Sequence, residues 1–200
     1  MSKNSNEMLW EKKLNIDTAS ARHEKDDDNH SRYEPTPYMV LKRLSESGLI
    51  SENDILVDYG SGKGRVSFFL SCACGGKSIG VEYDPRMHDF AMKNFLNYAG
   101  RRERVAFVLE SAENYKVREE NLFYFFNPFS VRILRSVIGR IKESYFENPR
   151  RMLLFFYYAL DSYLTELMNE PFLTYEGEID CRDLFHNEDE KEKILIFSVG

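Results

Sequence analysis

The chain has 200 residues, a length that suits one domain with a proper core, and its 42% hydrophobic and 14% aromatic content is ample to build one. A formal net charge of −6 argues against indiscriminate nucleic-acid binding and leaves an RNA substrate only by way of a local basic face. No apolar run reaches the length of a bilayer span, the stretch from Met1 to Glu7 has no apolar secretory core, and three cysteines give no disulfide framework, so a cytoplasmic setting without a membrane partner is expected.

In chain order, residues 1–30 are polar and charged and close on Glu24-Lys-Asp-Asp-Asp-Asn-His30. Apart from a short helix over 8–14 they read as a mobile arm able to fold over a ligand, and residues 31–200 read as a single domain. Tyr33-Glu-Pro-Thr-Pro-Tyr38 opens a helical stretch over 36–47, for which Thr36 suits the N-cap. Ile55-Leu56-Val57 is short, apolar and branched, as in a buried parallel strand over 55–58. Gly60, Gly62 and Gly64 then lead into a helix over 64–73, and a strand over 78–82 ends on Glu82. The next helix, 85–98, has Asp84 as N-cap, Pro85 at its first position and Gly100 as a C-terminal cap. A strand over 105–109 and the polar Glu110-Ser-Ala-Glu113 follow, then an apolar strand over 122–126 that closes on Asn127-Pro-Phe129. A helix over 131–143, a strand over 151–157 and a helix over 160–168 lead to a closing hairpin of 172–179 and 193–199. This alternation predicts an α/β fold: a doubly wound, mostly parallel seven-strand sheet with one antiparallel strand and helices on both faces.

Ligands of such sheets sit at the carboxyl ends of the strands, where Asp58, Glu82, Glu110 and Asn127 all fall. Glycine permits positive φ and removes the side chain where a ligand must approach the backbone, and the following helix N-terminus offers free N–H groups. Glu82 lies 22 residues after Gly60, where an acid hydrogen-bonds the two hydroxyls of a ribose. The dinucleotide fingerprint needs a third glycine at position 65, which is Arg65, and the phosphate loop needs Gly-Lys-Ser/Thr, whereas Lys63 is followed by Gly64. Cys72 and Cys74 fall in a helix expected to be buried; being two apart they share no face, and the four histidines lack ligand spacing, so no metal site is expected. Arg101, Arg102 and Arg104 form one basic cluster and Arg132, Arg135 and Arg140 another; both read as solvated helix ends and loops.

The Gly-x-Gly-x-Gly spacing, with Asp58 two residues ahead of it, resembles motif I of class I S-adenosylmethionine (SAM) methyltransferases. Asn121-Leu-Phe-Tyr-Phe-Phe-Asn-Pro-Phe129 looks like motif IV of the same enzymes. The segment through Pro35-Thr-Pro-Tyr38 resembles the ATP-synthase c-subunit lysine methyltransferase family, and Lys13-Leu-Asn-Ile-Asp-Thr18 is similar to a signature of uncharacterised bacterial methyltransferases. Together the likeness runs from Leu9 to the C-terminus. It implies a Rossmann-like fold and SAM as cofactor. By this resemblance Gly60, Ser61, Gly62 and Gly64 wrap the cofactor, Asp58 lies near its methionine amino end, and Glu82, with Tyr83 beside it, takes the ribose. The residue after the third strand contacts the adenine, with Glu110, Ser111 and Ala112 as candidates. Thr36 and Tyr38, with Tyr33, close over the cofactor, and Asn127, Pro128 and Phe129 hold the methyl acceptor.

In these roles the Asn127 side chain accepts an amine N–H and orients the lone pair, the Pro128 carbonyl takes a second N–H, and Phe129 stacks on a flat acceptor or meets the positive methyl group with its π face. No histidine sits in a motif, so an obvious general base is missing, which favours nitrogen over a hydroxyl. A protein lysine is the leading acceptor. RNA or a small metabolite is the alternative: Asn-Pro-Phe is similar to the Asn-Pro-Pro-aromatic motif of base and glutamine methyltransferases, with Phe129 one position early. A third reading is a non-catalytic cofactor- or partner-binding module. The acceptor's identity and the oligomeric state are not written in the sequence.

Overall fold

The computed structural model describes residues 3–19, 33–185 and 189–200. Helices α1 (Lys3–Leu14) and α2 (Tyr38–Ser45) precede the alternation β1 (Ile55–Tyr59), α3 (Arg65–Cys74), β2 (Lys77–Glu82), α4 (Pro85–Asn97), β3 (Val105–Leu109), β4 (Leu122–Phe125), α5 (Val131–Glu147), β5 (Leu153–Tyr157) and α6 (Asp161–Asn169); β6 (Leu173–Asp180) and β7 (Lys193–Val199) close the chain. The sheet order is β3-β2-β1-β4-β5-β7-β6. The first five strands are parallel, and β7 runs antiparallel between β5 and β6. The expected seven-strand, mostly parallel sheet is therefore present.

Side-chain parity explains why the strands read as unbroken apolar runs. Leu56, Leu122, Tyr124, Leu153 and Phe155 point to one face and pack with residues of α1, α2 and α3. Val57, Tyr59, Phe123, Phe125, Leu154 and Phe156 point to the other, which α5 and α6 cover. A parallel sheet buried on both faces has no polar side to show. Asp58 shares the parity of Leu56 and so enters the first of these layers as a charge-bearing group among apolar neighbours.

Several local expectations change. The first helix begins at Lys3, not at residue 8. Leu14, Ile16 and Thr18 are buried against the domain, so the described part of the stretch read as an arm is a docked helix and its extension; residues 20–32 lie outside the described residues. Asp84 does cap α4, its Oδ1 accepting from the Arg86 N–H at 2.8 Å. Gly100 does not: α4 stops at Asn97, Tyr98 N–H bonds the Asn94 carbonyl, and Ala99 N–H turns to Leu14 of α1. A Cβ on Gly100 would lie 2.3 Å from the Tyr98 ring, so that glycine serves packing. Cys72 is exposed, not buried, because α3 turns it away from the sheet.

The crossover from β3 to β4 carries no α-helix. Residues 110–121 instead bury Tyr115 and Val117 and fold around Glu120, whose carboxylate accepts from Tyr115 Oη at 2.7 Å and from the Arg118 N–H at 2.6 Å. Arg150 Nη2 donates to the Glu120 carbonyl at 2.6 Å.

Candidate cofactor and acceptor site

A cavity of about 390 Å³ opens at the carboxyl ends of β1, β2 and β4, within the size range of small-molecule sites. Its base is the glycine loop. Gly60 has φ +72°, and a Cβ there would sit 2.4 Å from Pro128 Cβ, so the turn after β4 rests directly on the loop. Gly62, with φ +53°, lies under the Tyr33 ring, whose Cε2 would be 2.3 Å from an added Cβ. Tyr33 in turn donates from Oη to the Thr18 carbonyl at 2.8 Å.

Glu82 closes the β2 side. One carboxylate oxygen accepts from the Gly62 N–H at 2.8 Å and the other from the Asp84 N–H at 2.9 Å. Burial pushes this carboxyl up, and the two N–H bonds pull it back. Asp58 is 2% exposed, and its one side-chain partner is Ser67 Oγ at the long distance of 3.5 Å. Burial first, and the Glu82 charge second, push Asp58 up to about 8. Ser61 Oγ, also buried, has no hydrogen-bond partner among the described residues.

On the β4 side, Thr36 Oγ1 and Tyr124 Oη share a hydrogen bond of 3.0 Å inside the cavity wall. Thr36 is not the N-cap of α2; Pro37 holds that position without a side-chain cap. Asn127 has φ +44°, and its amide is already engaged: Nδ2 donates to the Tyr158 carbonyl at 2.8 Å, and Oδ1 accepts from the Leu160 N–H at 3.2 Å. Phe129 is mostly buried, edge-on to Tyr59 and Phe125, with its carbonyl accepting from Tyr163 Oη at 2.5 Å.

The cavity thus gathers Thr36, Asp58, Gly60, Ser61, Gly62, Glu82, Tyr83, Ala112, Asn127, Pro128 and Phe129 from the residues singled out in the sequence. Three others are elsewhere. Tyr38 is fully buried, donating from Oη to Glu11 Oε1 at 2.7 Å. Gly64 starts α3 beneath the Phe107 ring. Ser111 turns its carbonyl to the N–H groups of Asn114 and Tyr115, while its neighbours Glu110 and Ala112 reach the cavity.

Sequence reasoning missed Arg65, Tyr124, Tyr158 and Leu160, which also line the cavity. Arg65 is 3% exposed and is clasped by α1: Nη1 meets Glu7 at 2.5 Å and Nη2 meets Glu11 at 3.3 Å. Its Nε donates to Thr18 Oγ1 at 2.7 Å and Nη1 to the Thr36 carbonyl at 3.1 Å, and the guanidinium carbon sits 4.4 Å from the Tyr38 ring centroid. A glutamate pair four apart was the available signal, but nothing local ties it to Arg65. Tyr158 and Leu160 follow β5, and the strand-end rule that selected Asn127 would have selected them too.

The lining is acidic. Glu34, Asp58, Glu82, Asp84 and Glu110 face a cavity whose basic lining residue, Arg65, is neutralised by Glu7 and Glu11. Among the described residues no cluster of His, Cys, Asp and Glu could hold a metal ion, and no helix is long and apolar enough to cross a membrane.

No protein-family model and no curated protein sequence matches the chain. Solved structures do resemble it. An RNA methyltransferase from Salinibacter ruber, in complex with S-adenosyl-L-homocysteine, is 22% identical with a TM-score of 0.56, over 83% of this chain and 94% of that one. A precorrin-6y C5,15-methyltransferase from Geobacter metallireducens is 15% identical with a TM-score of 0.56, over 88% and 95%. An rRNA methylase from Streptococcus thermophilus is 15% identical with a TM-score of 0.54, over 84% and 98%. At these identities the likeness shows the fold: this chain has the Rossmann-like fold of these methyltransferases.

Proposed function

We propose that this chain is a SAM-dependent methyltransferase that modifies a nitrogen atom. The observation that carries the reading is Glu82 at the end of β2, its carboxylate anchored on the Gly62 and Asp84 N–H groups at the mouth of the cavity. Anchored this way, the two oxygens keep lone pairs for a ribose diol. The rest of the lining fits the same cofactor. A dinucleotide would bring two phosphates into an acidic cavity, whereas a sulfonium and an ammonium are attracted by it. In this reading Asp58 receives the ammonium, and Glu110 and Ala112 meet the adenine; all three line the cavity.

When bound, the cofactor would supply a methyl carbon activated by a sulfonium: an acceptor lone pair bonds to that carbon in line as the carbon–sulfur bond breaks and S-adenosyl-L-homocysteine leaves with the electron pair. The chain's part is alignment and exclusion of water. Phe126, Phe129 and Tyr158 form an aromatic acceptor side, and Pro128 fixes its distance from the glycine loop. No described histidine is among the lining residues, and an amine acceptor attacks only after it has lost its proton, which water can take. A protein lysine is the leading acceptor, because the acidic cavity attracts its cationic form before that loss. An RNA nitrogen is the second reading. Arg132 and Arg135 favour it: they sit on the first turns of α5, directly after the Asn127-Pro128-Phe129 turn, with side chains 66% and 64% exposed. Against it, they pair with Glu113 and Glu166, while Arg101, Arg102 and Arg104 precede β3, at the amino end of that edge strand and away from the carboxyl ends that form the cavity.

Calorimetric titration with SAM and S-adenosyl-L-homocysteine, with NADH as control, tests the reading. Stoichiometric binding of both sulfur compounds, lost in Glu82→Ala, is expected. A radiolabelled-methyl screen of lysate proteins, RNA and metabolites then identifies the acceptor. Absence of binding at millimolar concentrations would end the assignment.

A further inference from the structure

Two residues with side chains stand in the left-handed backbone region beside the cavity, one at the end of β4 and one at the end of β5: Asn127 with φ +44° and Tyr158 with φ +51°. Asparagine tolerates this conformation; for a tyrosine it is a genuine outlier. The third such residue, Asn15, ends α1, where the conformation is ordinary. Strained backbone persists only where the surroundings hold it, and it gathers at ligand clamps. Here the holding is visible. Asn127 Nδ2 binds the Tyr158 carbonyl at 2.8 Å, and Asn127 Oδ1 binds the Leu160 N–H at 3.2 Å. One amide thus grips the backbone on both sides of Ala159. At the other end, Tyr158 Oη donates to Asp189 Oδ2 at 2.6 Å, and Asp189 Oδ1 accepts from the Lys191 N–H at 3.0 Å.

We infer that Tyr158 is the residue that recognises an amine acceptor, and that Asn127 is a positioning residue that sets it in place. The inference rests on the methyltransferase reading and deepens it. The strained tyrosine lines the cavity next to Phe126 and Leu160. Its hydroxyl proton is committed to Asp189, and no described residue donates to its oxygen. The hydrogen bond to Asp189 first, and burial second, raise the phenol to about 12, so it stays protonated at neutral pH. A phenol that gives its proton to a carboxylate has a more basic oxygen, an acceptor suited to an N–H group. The Asn127 amide, by contrast, spends one of its two N–H donors and one of its two acceptor positions on the backbone, which fixes its orientation.

The test needs no knowledge of the natural acceptor. Sinefungin resembles the cofactor but carries an ammonium where the transferable methyl group would be, whereas S-adenosyl-L-homocysteine has nothing there. Calorimetry gives the ratio of their dissociation constants for the unchanged chain, Tyr158→Phe, Asp189→Asn and, as a control on the exposed face of β6, Tyr175→Phe. The unchanged chain and the control should prefer sinefungin by roughly tenfold, and the preference should be lost in Tyr158→Phe and Asp189→Asn. A fold defect in a variant lowers both affinities together and does not move the ratio. If S-adenosyl-L-homocysteine binds but sinefungin is not preferred, or the preference survives Tyr158→Phe, the inference is overturned while the cofactor assignment stands. If neither compound binds the unchanged chain, the methyltransferase reading itself fails.

Discussion

Asp58 is a carboxyl group almost out of water, with one distant hydroxyl as partner and a second carboxylate, Glu82, in the same cavity. Its folded-state value of about 8 lies above the ordinary 3.8, so the folded chain holds this proton more tightly than the unfolded one. Its contribution to stability is therefore full below about pH 4 and is lost as the pH climbs towards about 8. Asp58→Asn, which cannot ionise, should melt at a higher temperature than the unchanged chain at pH 8, with the gain vanishing near pH 4; thermal melts across that range check this. Binding of a cationic ligand favours the ionised form. Titration of the unchanged chain with SAM at pH 7 should release up to about one proton, read from the dependence of the heat on buffer ionisation, and Asp58→Asn should abolish the release. Asp58, the glycines and Glu82 were legible as site residues because the loop and the strand ends that place them are local in sequence. The engagement of Asn127 was not, because its partners lie 31 and 33 residues further on.

Among the elements, α1 shows what periodicity does not reveal. Lys3–Leu14 has no apolar stripe worth the name, so the sequence offered only its last turns as a helix. It is held by charge: Glu7 and Glu11 close on Arg65 at the first position of α3, and both also bond Tyr38 at the start of α2. A buried ion pair adds little net stability against an apolar substitute, but breaking one leaves a charge without its partner. Arg65→Ala should therefore cost about 3–5 kcal/mol in urea unfolding. The helices and strands that pack by apolar stripes, β1 to β5 and α3 to α6, were legible to within a few residues, because burial of a regular face is what their sequence encodes. Where an end is set by a tertiary bond, as Ala99 N–H to the Leu14 carbonyl sets the end of α4, the nearby glycine misleads.

For the whole molecule, the alternation of strand and helix was enough to anticipate seven strands and one antiparallel member. It placed no helix in the β3–β4 crossover, and there is none; what it did not show is the single buried carboxylate, Glu120, that binds its own loop there. Nor does strand order follow from strand count: β7 lies between β5 and β6, paired over Leu153–Tyr157 on one side and over Leu173–Asp180 on the other. A chain lacking residues 193–199 keeps every residue of the proposed site, yet it should be recovered as aggregate in light scattering, because β5, apolar but for the Tyr157 hydroxyl, would present an open edge.

The same insertion bears on how the protein is made. A ribosome releases β6 before β7, so β6 reaches solution with its neighbour in the sheet not yet synthesised, and β5, apolar but for the Tyr157 hydroxyl, waits one strand's width away. The parallel half of the sheet and the glycine loop can assemble during translation, but the sheet is sealed only when the last strand slides into a gap between two elements already present. Codon usage, chaperone occupancy or a bulky fusion at that end would act on this step, and would change how much protein is obtained without touching the chemistry of the cavity.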